Sequence, residues 1–191
     1  MRKIIIIVGS LGLLYFFLAY GLPYLTSIPF AYQNSYENWA ESDNNELNRV
    51  YDNSIDIPEP LGVINDYAKV FSEDQKVELT KIADDYNTQT ARQIVIVTVD
   101  SIEPYKNIQK YAKDLGNLWG VGMAGKDNGL VIVLCNPLKS IGIATGNSTE
   151  VILTDEICSN IIEKVMIPEF ENGKYYDGIK KGVTEIIKKW G

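Results

Sequence analysis

Histidine is absent from all 191 residues. With it go Ser-His-Asp and Cys-His catalysis, HExxH zinc sites and imidazole acid–base chemistry near neutral pH. Carboxylates, Lys, Tyr, Ser, Thr, Cys or an oxygen-held metal are what remains for chemistry. Cysteine is scarce, and Cys135 and Cys158 alone cannot build a zinc site. Cys135 closes an apolar strand and Cys158 falls early in an amphipathic segment, so both read as buried thiols. A disulfide stays open if the domain faces an oxidising compartment. Positive charge is short as well: 18 Lys and Arg stand against 25 Asp and Glu, a net −7. That balance argues against nucleic acid, which needs a basic surplus on one face. The glycine-rich GNLWGVGMAG lacks both the GxGxxG order and the GK[ST] of a P-loop, so it reads as a loop.

What is present begins with hydrocarbon. After MRK, Ile4 to Leu25 carries no charge, and about 20 such residues span a bilayer core of about 30 Å. Arg2 and Lys3 hold the N-terminus in the cytoplasm by the positive-inside rule. A cleaved signal peptide would have a shorter apolar run and a small-x-small site; TSIPFAYQ offers none. The expectation is a single-pass anchor over residues 1–25 with the rest extracytoplasmic, or a secreted or periplasmic domain if the segment is cleaved. Residues 26–60 carry seven acidic residues (Glu37, Glu41, Asp43, Glu46, Asp52, Asp56, Glu59) against Arg49 alone. They end in IDIPEP, whose prolines favour extended backbone. The tether is set at 26–57 and the folded domain at 58–191.

Within the domain helical and strand periods alternate. Ser72 and Gln75 form a capping box before a helix with Leu79, Ile82, Ala83 and Tyr86 on one face. QIVIVTVD (93–100) and GLVIVLCN (129–136) are buried strands, and SIGIATG (140–146) is a third. A helix over 107–119 lies between the first two. Thr154 or Asp155 caps another helix, which Pro168 interrupts, and a last helix carries Ile179, Val183, Ile186 and Trp190. Strand–helix–strand requires a right-handed parallel crossover, and the short turn after Cys135 an antiparallel hairpin. The expected fold is α/β: a three-layer α/β/α sandwich with a small mixed sheet, preceded by the transmembrane helix.

This topology gathers a rim. If the hairpin turns near residue 138, Asp127 and Asn128 face Ser148 and Thr149, with Glu150 and Asp155 close by. Arg92 and Gln93 share that end, and Asp100 leaves at the other. Asp127, Asn128, Glu150 and Asp155 are hard oxygen donors of the kind Ca²⁺ and Mg²⁺ take. The same residues also read as a tight Asn-Gly turn and a helix cap.

The ordered pieces VINDYAKVFS, QIVIVTVDS, YAKDLGNLWGVG, KDNGLVIVL, IGIATGNSTEVILTD and IPEFENGKYYDGIKKGV together resemble the TPM-domain family over residues 58–190. These are thylakoid-lumen photosystem-repair proteins and bacterial envelope relatives. The resemblance implies a compact α/β/α sandwich tethered to a membrane. It also implies either weak acid phosphatase activity with Ca²⁺ or another divalent cation, or a part in assembling or repairing membrane complexes. The family's acidic pocket would correspond to Asp66, Asp127, Asn128, Glu150 and Asp155. On that basis the expected function is cation binding in a quality-control module for envelope proteins. The alternative is a metal-dependent phosphomonoesterase using Asp127 or Asp66 as base or nucleophile, with Arg92 and Lys126 as candidates to hold phosphate. Two departures stand out. Ser148 replaces the second glycine of the family's G-x-G-x-E turn, where its Cβ disfavours positive φ, and the anchor precedes the domain, where many bacterial relatives carry it after.

Overall fold

Two runs of β-branched hydrocarbon, Ile94–Val99 and Leu130–Cys135, are buried along their whole length. A strand tolerates that only when both faces are covered. The computed structural model describes residues 57–191; the expected anchor and nearly all of the tether lie outside the described residues. Among the described residues no helix is long and apolar enough to cross a membrane.

The elements run β1 (Ile64–Asp66), α1 (Glu73–Thr90), β2 (Gln93–Val99), α2 (Ile108–Trp119), β3 (Gly129–Cys135) and β4 (Ser140–Thr145). A single-turn α3 (Asn147–Glu150) follows, then α4 (Asp155–Ile161), a π turn (Ile162–Met166), α5 (Ile167–Glu171) and α6 (Tyr175–Trp190). The sheet order is β1-β2-β3-β4, parallel at the first two pairings and antiparallel at the hairpin. It is the expected mixed sheet with one strand more. β1 is three residues long and carries no alternation over a length that pattern reading could detect.

Alternate strand residues serve two cores. Ile94, Ile96, Leu130, Ile132 and Leu134 pack under α1 and the helices after β4, through Leu79, Ala83, Ile161, Ile179 and Val183. Val95, Val97, Val131, Val133 and Cys135 face the other way, against Tyr111, Ala112 and Leu115 of α2. Each such side chain withdrawn from water contributes about 1.5–3 kcal/mol, so this period-two division holds helices to both sides of the sheet. It also separates the cysteines. Cys135 belongs to one core and Cys158 to the other, and both are free thiols.

The capping box at α1 forms as the sequence requires, with Ser72 accepting from the Gln75 amide and Gln75 from the Ser72 amide. Pro168 behaves differently from expectation. The helical path does not stop there; the Ile167 N–H reaches back five residues to Ile162 O and widens one turn. That wider turn stands just before a proline whose ring and missing N–H an unbroken α-helix could not accommodate.

Candidate functional site

Gly129 opens β3 and Thr145 closes β4, so the loops before the one and after the other meet at one end of the sheet. Four bonds fasten them. Gly146 N–H donates to Gly129 O at 2.9 Å, and Ser148 N–H to Asp127 O at 3.2 Å. Asn147 Nδ2 donates to Asp127 Oδ2 at 3.2 Å, and the buried Thr149 hydroxyl to Gly129 O at 3.0 Å. Asp127 therefore faces Ser148, as the hairpin register demands.

The fastening requires two glycines. A Cβ on Gly146 would collide with the Asp127 carbonyl, and one on Gly129 with the Val121 carbonyl. Ser148 needs no such licence. It sits within α3, and the left-handed backbone of this rim falls to Asp127, at φ 47°. The departure from the glycine pattern at Ser148 thus costs the loop nothing in backbone geometry.

The expected site residues divide. Asp127, Glu150 and Asp155 are all exposed around this end. Glu150 and Asp155 share a neighbourhood, since burial pushes the Cys158 thiol up to about 12 and both carboxylates push the same way. Among the described residues none of the three makes an ion pair. The ion pairs among the described residues lie on helices instead, within one helix as Lys110 with Asp114 or between two as Glu78 with Lys180. Asn128 stands at the rim but is spent on it. Its Oδ1 accepts from Met123 N–H at 2.8 Å and its Nδ2 donates to Ala91 O at 2.7 Å.

Asp66 does not belong here. It pairs with Thr98 at the far end of the parallel strands, whereas Gln93 and Gly129 are level at the rim. With β1 unrecognised in the sequence, nothing indicated which end of the sheet VINDY would reach. Its carboxylate closes the turn after β1, accepting from Val70 N–H at 2.9 Å, Phe71 N–H at 3.0 Å and the Thr98 hydroxyl at 2.5 Å. Arg92 is also committed. Its guanidinium donates to Tyr86 Oη at 3.1 Å, to Gly191 O at 2.7 Å and to Trp190 O, and it stacks on the Trp190 ring. Of the two candidates to hold phosphate, only Lys126 stays exposed at the rim.

Sequence reasoning passed over Asn147 and Thr149 as parts of the site. Their signal was the register itself, which placed Thr149 opposite the KDNG turn but did not reveal that its side chain is fully buried. Among the described residues no group of three or more acidic or thiol side chains closes around one point. The rim's donors are carboxylates, hard oxygen ligands of the kind a divalent cation takes with water completing its shell, and the exposed Lys126 stands next to Asp127.

A family model for the TPM domain matches residues 64–189. No curated protein matches the chain. Among solved structures, the chain is similar to the N-terminal domain of a P. gingivalis protein, at 28% identity and a TM-score of 0.61, over 66% of this chain and 80% of that one. The N-terminal domain of a Corynebacterium glutamicum protein shares the fold at 14% identity and a TM-score of 0.54, over 71% and 85%. A protein of the psychrophilic bacterium Bizionia argentinensis does so at 12% and 0.55, over 63% and 81%. A match across residues 64–189, most of the described domain, settles the family: this chain belongs to the TPM domain family.

Proposed function

We propose that this TPM domain binds a divalent cation and acts as a binding or quality-control module for envelope proteins, held at a membrane on its extracytoplasmic side. The uncharged run Ile4–Leu25 behind Arg2 and Lys3 supports the anchor and its orientation. One observation carries the cation: Asp127, Glu150 and Asp155 stand exposed around two loops bonded to each other, with no ion pair among the described residues. These carboxylates do not close around one point, so an ion here would be held by one or two of them with water filling the rest of its shell. Ca²⁺ fits better than Mg²⁺, because it accepts irregular oxygen sets and mixes carboxylates with water, whereas Mg²⁺ demands a near-ideal octahedron.

The geometry favours this reading over a metal-dependent phosphomonoesterase. Phosphoryl chemistry wants cationic donors beside the metal, and Arg92 is occupied with the end of α6. Asp66, the second candidate base, lies at the other end of the sheet.

Calorimetric titration of the full chain with Ca²⁺ and Mg²⁺, beside the Glu150→Ala variant, tests the proposal. Saturable Ca²⁺ binding that the variant loses, while its melting temperature without metal is unchanged, is the expected result. Heat of dilution alone with both ions would overturn it.

A further inference from the structure

Val151 is the most exposed large apolar side chain among the described residues, at 80%, and it directly follows Glu150. Ile152 beside it is 39% exposed. Single exposed apolar residues are ordinary, but these two ride on an anchored turn. Ile152 and Leu153 both donate N–H to Thr149 O, at 3.0 and 2.8 Å, and Leu153 is fully buried beneath them. Thr149 is itself bonded to Gly129. Met123, 43% exposed, sits on the loop before β3, its N–H bonded to the Asn128 side chain. Hydrocarbon on fixed backbone thus shares these loops with Asp127, Glu150, Asp155 and the exposed Glu156, which make no ion pair among the described residues, and with one exposed cation beside Asp127, Lys126.

We infer that this rim docks a protein segment carrying apolar side chains next to Lys or Arg. The inference rests on the proposed cation reading and extends it, because the same carboxylates would serve both ligands. Charge complementarity selects the partner. Basic groups meet unpaired carboxylates, while an acidic segment would be repelled. A second copy of this chain fits poorly, since a two-fold contact through the rim sets carboxylate against carboxylate. Ca²⁺ and the segment compete, so each weakens the other by the same factor.

The test is fluorescence anisotropy of labelled amphipathic peptides titrated with the full chain: one of Leu and Lys, one of Leu and Glu, one of Ser and Lys. The Leu-Lys peptide should bind, with the other two about tenfold weaker or worse. Val151→Ser, an exposed change that leaves the carboxylates alone, should weaken it about tenfold, the loss expected when one valine is no longer buried. Asp127→Asn should weaken it too, and Ca²⁺ should displace it. Equal binding by Val151→Ser and the parent chain, or equal affinity for the Leu-Glu peptide, would overturn the inference. So would self-association of the chain that Val151→Ser abolishes, which would assign the patch to a second copy. The two readings separate cleanly. Ca²⁺ binding with peptide affinity indifferent to Val151 removes the docking surface and keeps the cation. Val151-dependent peptide binding without any Ca²⁺ titration does the reverse.

Discussion

Asp66 shows how a carboxylate can be consumed by its own backbone. Two amide N–H groups and the Thr98 hydroxyl fill its oxygens, whereas the Asp127 carboxylate takes one bond, from the exposed Asn147 side chain. Hydrogen bonds to a charged group contribute about 1.5–3 kcal/mol each, and a buried donor left unmade costs on a similar scale. Asp66→Ala should therefore lower stability by about 3 kcal/mol in a denaturant melt while leaving the Ca²⁺ isotherm unchanged. A stable variant that no longer binds Ca²⁺ would return Asp66 to the site. The two carboxylates could not be told apart in sequence, since VINDY and KDNG each offer an acid beside a turn. What distinguishes them is which end of a parallel sheet they reach.

At the scale of elements, the exposed edge of the sheet is managed by one side chain. β4 is an outer strand, and its Ile143 turns N–H and C=O away from β3. Gln109 of α2 meets both, donating to Ile143 O at 2.5 Å and accepting from Ile143 N–H at 3.1 Å. An unpaired strand edge is a template for another chain, and the amide of Gln109 occupies it as a strand would. Gln109→Leu should raise concentration-dependent association, read by light scattering, with a stability loss of about 1–2 kcal/mol for two hydrogen bonds. Association no greater than the parent's would show that α2 covers the edge without the amide. Most elements here were legible: the capping box, the helix over 107–119 and both buried strands stand within a residue or two of expectation. β1 and the continuation through Pro168 were not. A three-residue strand is selected by the partner it pairs with, and the π turn lets the helical path pass Pro168.

For the whole molecule, stability should be bounded on both sides by groups that join distant segments. Lys180 bonds Glu78 at 2.6 Å and holds that carboxyl below its ordinary value of 4.5; Lys181 does the same for Glu169. A depressed carboxyl contributes stability above 4.5, and the contribution is lost as pH falls through the lower folded value. At the alkaline end the signs reverse. Burial raises the Cys158 thiol from 9.0 to about 12, so its contribution is complete below pH 9 and lost between 9 and about 12 as the unfolded chain ionises first. Lys180 and Lys181, raised above 10.5 by those same carboxylates, lose theirs as pH rises from 10.5 through their raised values. Thermal melts should show a plateau with a fall at each end. Glu78→Gln should soften the acid limb and remove the share of Lys180 from the alkaline fall while leaving that of Cys158, and identical acid limbs in both proteins would refute the pair's role.

Composition and period by themselves determined that the chain has no histidine chemistry, that two strands are buried on both faces, and that one hairpin brings KDNG to GNSTE. These follow from local rules: side-chain period, turn length and the handedness of crossovers are written residue by residue. Only the tertiary structure decided which oxygens are free. Asp66 and Asn128 are polar in sequence and spent in space, while Arg92 is claimed by a tryptophan almost a hundred residues away. Val151 carries the opposite lesson, an apolar residue left in water. Hydrogen-bond saturation and solvent exposure depend on which distant groups arrive, and that is a property of the packed chain.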